Sequence, residues 1–190
     1  MVDASPPGYR EPVLSENFFT KAWSRFFSEL AQRIGAGRSY TLGGQLTNDT
    51  TAVGNVGAGE DDLITYTLQK NTLENTGDVI DITAQGTTAA NGNNKTIKLY
   101  LGSTVLFDTG AVALNNSAWS IRAQVTRTGS ATQKSTAFFS GDISLVTQTA
   151  TFVSGTEDLT TSLVVKCTGE ATSNDDIIQQ SLTINFYPVR

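Results

Sequence analysis

The sequence contains no histidine. Serine and cysteine nucleophiles usually depend on a histidine base, so both kinds of covalent catalysis lose their usual partner. Zinc sites usually need histidine or several cysteines, and this chain has one cysteine, Cys167. A single cysteine closes no internal disulfide and argues neither for nor against an oxidising compartment. No apolar run approaches the ~20 residues of a membrane helix. No charged stretch followed by an apolar one marks a signal peptide at the N-terminus. Basic residues are scarce: 13 Lys and Arg against 18 Asp and Glu give a net charge of −5, which argues against nucleic acid. These absences predict a chain that is not an enzyme, carries no metal or cofactor, binds no nucleic acid and inserts into no membrane.

What is present fits one ordinary domain plus an appendage, since the chain has 190 residues. Residues 1–38 carry five basic and four acidic groups, and residues 39–190 carry eight and fourteen, so the body is the acidic part. Pro6, Pro7, Gly8 and Pro12 forbid regular structure over residues 1–14, which read as an extended arm. A helix is predicted over 15–34. Ser15 is its N-cap, Leu14 and Phe19 can staple its first turn, and Gly35 ends it. Phe18, Ala22, Phe26, Leu30 and Ile34 form one ridge, and Phe19, Trp23, Phe27 and Ala31 the next. Together they cover an arc of roughly 220°, wider than a helix lying on one surface needs. A helix docked on its own sandwich would need less. Phe18, Phe19, Trp23, Phe26, Phe27 and Leu30 are therefore the candidate anchoring or oligomerising residues.

After the hinge at Gly35, Gly37, Gly43 and Gly44 the hydrophobic period changes to two. Ile178, Gln180, Leu182, Ile184 and Phe186 alternate with Gln179, Ser181, Thr183 and Asn185, with Gln180 the one polar residue on the inward set. Trp119, Ile121, Ala123 and Val125 alternate with Ser120, Arg122, Gln124 and Thr126, and Leu163, Val165 and Cys167 form a third inward set. Such alternation predicts strands with one buried face. Leu101-Gly102-Ser103-Thr104 reads as a two-residue type II′ hairpin. That register sets Leu99 opposite Leu106 and Tyr100 opposite Val105. Strands are expected over 39–46, 62–69, 78–85, 95–101, 104–109, 117–128, 134–141, 143–153, 159–169 and 177–187. The expected fold is mainly β: an antiparallel β-sandwich over 39–190, jelly-roll-like first and immunoglobulin-like second, behind the arm and helix of 1–38.

Candidate chemistry is thin. Glu60-Asp61-Asp62 follows Gly54, Gly57 and Gly59, and carboxylates on a glycine-rich loop suit Ca²⁺. The triad supplies too few ligands and matches no known calcium loop, so a solvated loop or an inter-subunit contact is expected there. Glu157-Asp158 and Asp175-Asp176 are read the same way. No pair among the fourteen acids of the body is singled out for glycoside hydrolysis. Cys167 is expected as a small buried hydrophobe. Tyr66, Tyr100 and Trp119 are the aromatics that could stack on sugar rings, against the competing expectation that they sit in the core.

Two stretches carry a resemblance. Trp23-Ser24-Arg25-Phe26-Phe27-Ser28-Glu29-Leu30, followed by Gly35, resembles a short N-terminal element of tailed-phage virion proteins. Gly54-Asn-Val-Gly-Ala-Gly-Glu-Asp-Asp-Leu63, Asn71-Thr-Leu73, Gly86-Thr-Thr-Ala89, Lys95-Thr-Ile-Lys-Leu-Tyr100 and Trp119 together resemble a jelly-roll-like module at the ends of phage fibre and decoration proteins. The resemblance implies a structural virion component, usually a homotrimer, that contacts other virion proteins through residues 1–36. Its sandwich would project as a fibre tip, spike or head decoration, with a host surface glycan as a possible partner. The alternatives are a carbohydrate-binding module without catalysis and a polysaccharide depolymerase. No catalytic residue is carried over.

Overall fold

The computed structural model describes residues 43–141 and 149–189. The arm, the helix expected over 15–34 and its six anchoring residues lie outside the described residues. Among the described residues every regular element is a strand. In chain order they are β1 (Gly44–Asp49), β2 (Val53–Gly54), β3 (Glu60–Leu68), β4 (Val79–Thr88), β5 (Thr96–Leu101), β6 (Thr104–Asp108), β7 (Ala118–Gly129), β8 (Thr132–Gly141), β9 (Thr149–Gly155), β10 (Leu163–Glu170) and β11 (Ile177–Tyr187).

All pairings are antiparallel. One sheet runs β1-β11-β4-β7-β8-β9, with β2 continuing beyond β1 along the same side of β11. The other runs β3-β10-β5-β6. The chain crosses between sheets at β3–β4–β5 and again at β9–β10–β11, as in a jelly roll. A jelly roll, however, sets four strands against four. Here the meander β7–β8–β9 widens one sheet to seven. The antiparallel sandwich is thus realised: β1-β11-β4-β7 and β3-β10-β5-β6 follow the four-on-four jelly-roll order, and β8, β9 and β2 are additions to the first sheet.

The core lies between the sheets. Ile80, Ile82 and Ala84 of β4, Ile121, Ala123 and Val125 of β7, and Leu182, Ile184 and Phe186 of β11 face Ile97, Leu99 and Leu101 of β5 and Val165 and Cys167 of β10; all are buried. Phe107 of β6 stacks on Phe139 of β8 with ring centroids 5.8 Å apart, joining the sheets. Cys167 is fully buried, and burial drives its thiol pKa far up. Trp119 is also buried, over a glycine: a Cβ on the cross-strand partner Gly86 would come within 2.5 Å of its ring.

Two registers differ from the expected alternation. On β11 a bulge falls between Gln179 and Ser181, so Gln180 has no partner on β4. Gln180 is exposed and Ile178 half-buried, whereas Ile177 and Gln179 point inward. The physical reason is a backbone need. Gln179 Oε1 accepts from the Ile64 amide at 2.9 Å, and its Nε2 donates to the Ser181 carbonyl at 3.0 Å. A buried amide side chain with both ends bonded costs little. At the hairpin, Tyr100 pairs with Val105 as expected, but Leu99 pairs with Phe107. Leu106 is the extra residue of a bulge, and both Leu106 and Phe107 enter the core. Gly102 has φ +59, as a type II′ turn requires. A Cβ there would also collide with Glu157, whose carboxylate accepts from the amide and hydroxyl of Ser103 and the hydroxyl of Thr104.

One end of the sandwich is tied by buried polar groups. Asn55 donates to the carbonyls of Gly57 and Ser173 and accepts from the amide of Ile177. Lys95 is fully buried, its Nζ 2.8 Å from Asn91 Oδ1 and 3.1 Å from the Asn93 carbonyl. Asn91 and Asn93 donate in turn to Asp176 at 2.5 and 2.9 Å. Burial holds the Lys95 ammonium below its ordinary pKa. Burial also opposes ionisation of Asp176, but the Asn93 and Asn91 amides and the Ser173 N–H outweigh it and lower its pKa.

Candidate functional site

Directly paired residues on antiparallel strands share a face. The outer face of the four-stranded sheet is built from Lys98 and Tyr100 of β5 and Lys166 and Thr168 of β10, with Glu60 and Asp62 of β3 beside them. Glu60 accepts from Lys98 Nζ at 2.7 Å, from the Tyr100 hydroxyl at 2.7 Å and from the Thr168 hydroxyl at 2.8 Å. Lys166 pairs with Asp62 at 2.6 Å and lies over the Tyr100 ring, 5.4 Å from its centroid. The Lys98 hydrogen bond, helped by Tyr100 and Thr168 and opposed by burial, lowers the Glu60 pKa to about 2. The same bond to Glu60 raises that of Lys98.

The acidic triad is therefore no calcium loop. β3 already begins at Glu60, so alternation sends Glu60 and Asp62 to one face and Asp61 to the other. Asp61 accepts from the Val56 amide at 2.8 Å, away from the other two. Glu157 holds the β5–β6 turn and Asp176 the buried end of the sandwich, while Asp158 caps its own turn through the Thr160 amide and hydroxyl. Each of these acids has local partners. Among the described residues no cluster of three or more metal-ligating side chains forms.

The outer face of the seven-stranded sheet is different. Register places Asn185, Asp81, Gln124, Thr136 and Phe152 in one row, and Thr183, Thr83, Arg122, Phe138 and Ala150 in the next. A third row continues with Ser181, Gln85, Ser120 and Ser140. At strand spacing, a row across five strands spans roughly 19 Å. Phe138 is 50% exposed and Phe152 63%. They are diagonal neighbours, with backbones roughly 7–8 Å apart. Beside Phe138 runs a shallow groove of about 310 Å³ whose floor is Asp81, Thr83, Arg122, Gln124 and Asn185. A second depression of about 550 Å³, among Gln85, Ser120, Ser140 and Gln180, extends it along the strands. Gln124 Nε2 donates to Asp81 Oδ1 at 3.2 Å, which orients both side chains. Arg122 has no ion pair or hydrogen bond among the described residues.

The three aromatics that the sequence offered for sugar stacking do not form this surface. Trp119 is 2% exposed, with its indole N–H directed at the Thr87 carbonyl. Tyr100 is half-buried and held between Glu60 and Lys166, and Tyr66 is half-buried opposite Val165. Phe138 and Phe152 were missed. The signal was nonetheless present: in Phe138-Phe139 on one strand, alternation must turn one ring outward.

No protein-family model matches the chain, and no curated protein matches it in sequence. Among solved structures it is similar to the CBM2 module of the evolved Dit of Lactobacillus casei BL23 phage J-1. The two share 9% identity and a TM-score of 0.44 over 78% of this chain and 97% of that chain. No residue role follows from a likeness of that size.

Proposed function

We propose that this chain is a non-catalytic attachment component of a tailed-phage particle. Residues 1–36 anchor and trimerise it, and its β-sandwich is presented outward as a fibre, spike or decoration module. The observation that carries the attachment role is the outer face of the seven-stranded sheet. It leaves two phenylalanines and an arginine without partners among the described residues, on a sandwich whose other outer face ties Glu60, Asp62, Lys98, Tyr100, Lys166 and Thr168 to one another. The particle assignment is supported by the Trp23–Leu30 resemblance and by an aromatic-rich N-terminal segment, read from sequence as a helix, that a free binding domain does not need.

The test is particle association. Density-purified particles probed with antibody to the sandwich should carry the chain, and deletion of residues 1–36 should yield a protein that melts cooperatively but no longer incorporates. A chain that never sediments with particles sinks this assignment. The second reading, a free carbohydrate-binding module, is favoured by the same exposed face and predicts ligand binding without particle association.

A further inference from the structure

We infer that the ligand of the exposed face is a neutral pyranose glycan, bound along the groove with Phe138 as the stacking surface. This deepens the attachment role proposed above and rests on it. A pyranose ring presents C–H groups on one side and hydroxyls around its rim. Its complement is an accessible aromatic plane bordered by planar polar side chains that both donate and accept. The groove has this composition. Phe138 stands half-exposed in the row of Arg122 and Thr83. Asp81, Gln124 and Asn185 occupy the adjoining row.

The polar groups are oriented but not saturated. The Gln124–Asp81 hydrogen bond uses one amide proton and one carboxylate oxygen, which leaves the Gln124 carbonyl and the second Asp81 oxygen to accept. Arg122 keeps its guanidinium donors without a partner among the described residues. The rows continue without interruption over five strands, so there is room for several linked rings rather than one.

Charge selects among occupants. The groove holds one anion, Asp81, and one cation, Arg122, so it exerts no net attraction on an ion. The body carries fourteen acidic against eight basic residues, which repels polyanions. Single-stranded nucleic acid also stacks on aromatics but needs a basic track, which is missing. A protein partner would want an apolar centre from which Asp is depleted, whereas Phe138 rises beside rows of Thr83, Asp81, Gln124 and Asn185. A neutral, hydroxyl-rich ligand with an apolar face meets all of these conditions.

The full chain is tested by affinity electrophoresis in gels containing dextran, β-1,3-glucan, galactomannan or soluble β-1,4-glucan, with polygalacturonate as the anionic arm. At least one neutral gel should retard it. Phe138→Ala should weaken that retardation by about tenfold or more, and Arg122→Ala should weaken it measurably. Val164→Ala, on the outer face of the other sheet, should leave it unchanged. Both altered side chains on the binding face lie on the surface, so thermal melts should stay at the wild-type midpoint. Retardation by polygalacturonate alone, retardation by no gel, or equal loss in Val164→Ala overturns the inference. So does light scattering in which Phe138→Ala breaks an oligomer into monomers, because the face is then an interface between copies. Particle association is scored separately by immunoblot. Chain present on particles with no gel retarding it sinks the ligand class alone; chain absent from particles sinks the attachment role.

Discussion

The two outer faces of this sandwich are built by the same alternation, yet they end in opposite states. On the four-stranded sheet, Glu60 gathers Lys98, Tyr100 and Thr168, while Asp62 takes Lys166. Each of these long polar side chains has a neighbour of complementary chemistry, while Glu170, paired with the like-charged Glu60, has none among the described residues. On the seven-stranded sheet, Phe138 and Phe152 stand in solvent and Arg122 has no partner among the described residues. A surface that satisfies itself gains little from a ligand, since binding would first break its contacts. A surface with unused donors and an open aromatic plane loses nothing of that kind. The difference teaches that an exposed strand face becomes a candidate site through what it leaves unpaired, not through how polar or aromatic it is.

The largest expected effect tests whether the open face is a surface at all. Ile184→Asp places a lone carboxylate in the core and should cost about 3–5 kcal/mol, enough to unfold the body. Thr183→Asp, one residue away on the open face, should cost well under about 1 kcal/mol. Circular dichroism melts in the reverse order would break the strand register. Next comes the buried end of the sandwich, a benchmark for groups that are truly committed. Lys95→Met leaves the Asn91 Oδ1 and the Asn93 carbonyl without their buried donor and should cost about 3 kcal/mol by denaturant unfolding. A cost below about 1 kcal/mol would mean that the network does not hold that end together.

The satisfied face should fall below this benchmark. Glu60 is one-third exposed at its side chain, so solvent screening limits Glu60→Gln to about 1 kcal/mol near neutral pH. Its folded pKa, about 2, lies below its ordinary 4.5. The stabilisation is therefore complete above pH 4.5 and disappears as the pH falls toward 2. The gap between wild type and Glu60→Gln should close over that window. A gap that persists at pH 2 would show that Glu60 acts through packing rather than charge. The smallest effect on stability belongs to the open face: Phe138→Ala and Phe152→Ala should each move the unfolding free energy by less than about 0.5 kcal/mol. A loss several times larger would mean that the rings are packed against something, and the contrast between the faces would fail.

Much of this was legible from residue order. The inward sets of β7 and β10 follow directly from period two, because an apolar residue at every second position leaves a strand one way to face the core. Histidine's absence, the acid excess and the single cysteine likewise restrict the chemistry at the level of composition.

What only the tertiary structure decided is where that period breaks and which polar groups meet. The bulge at Gln179–Ser181 on β11 is set by a partner far along the chain, the Ile64 amide, and the one at Leu106 on β6 by the sandwich core that takes in both Leu106 and Phe107. Glu60 and Thr168 are 108 positions apart, and Asn55 and Ile177 are 122 apart, so no local pattern encodes their bonds. The same holds for the open face. Ser120, Arg122 and Gln124 of β7 and Ser181, Thr183 and Asn185 of β11 were identifiable as outward-facing, but the assembly of one groove depends on the order β11-β4-β7-β8-β9, which is a property of strand pairing and not of any strand's own sequence.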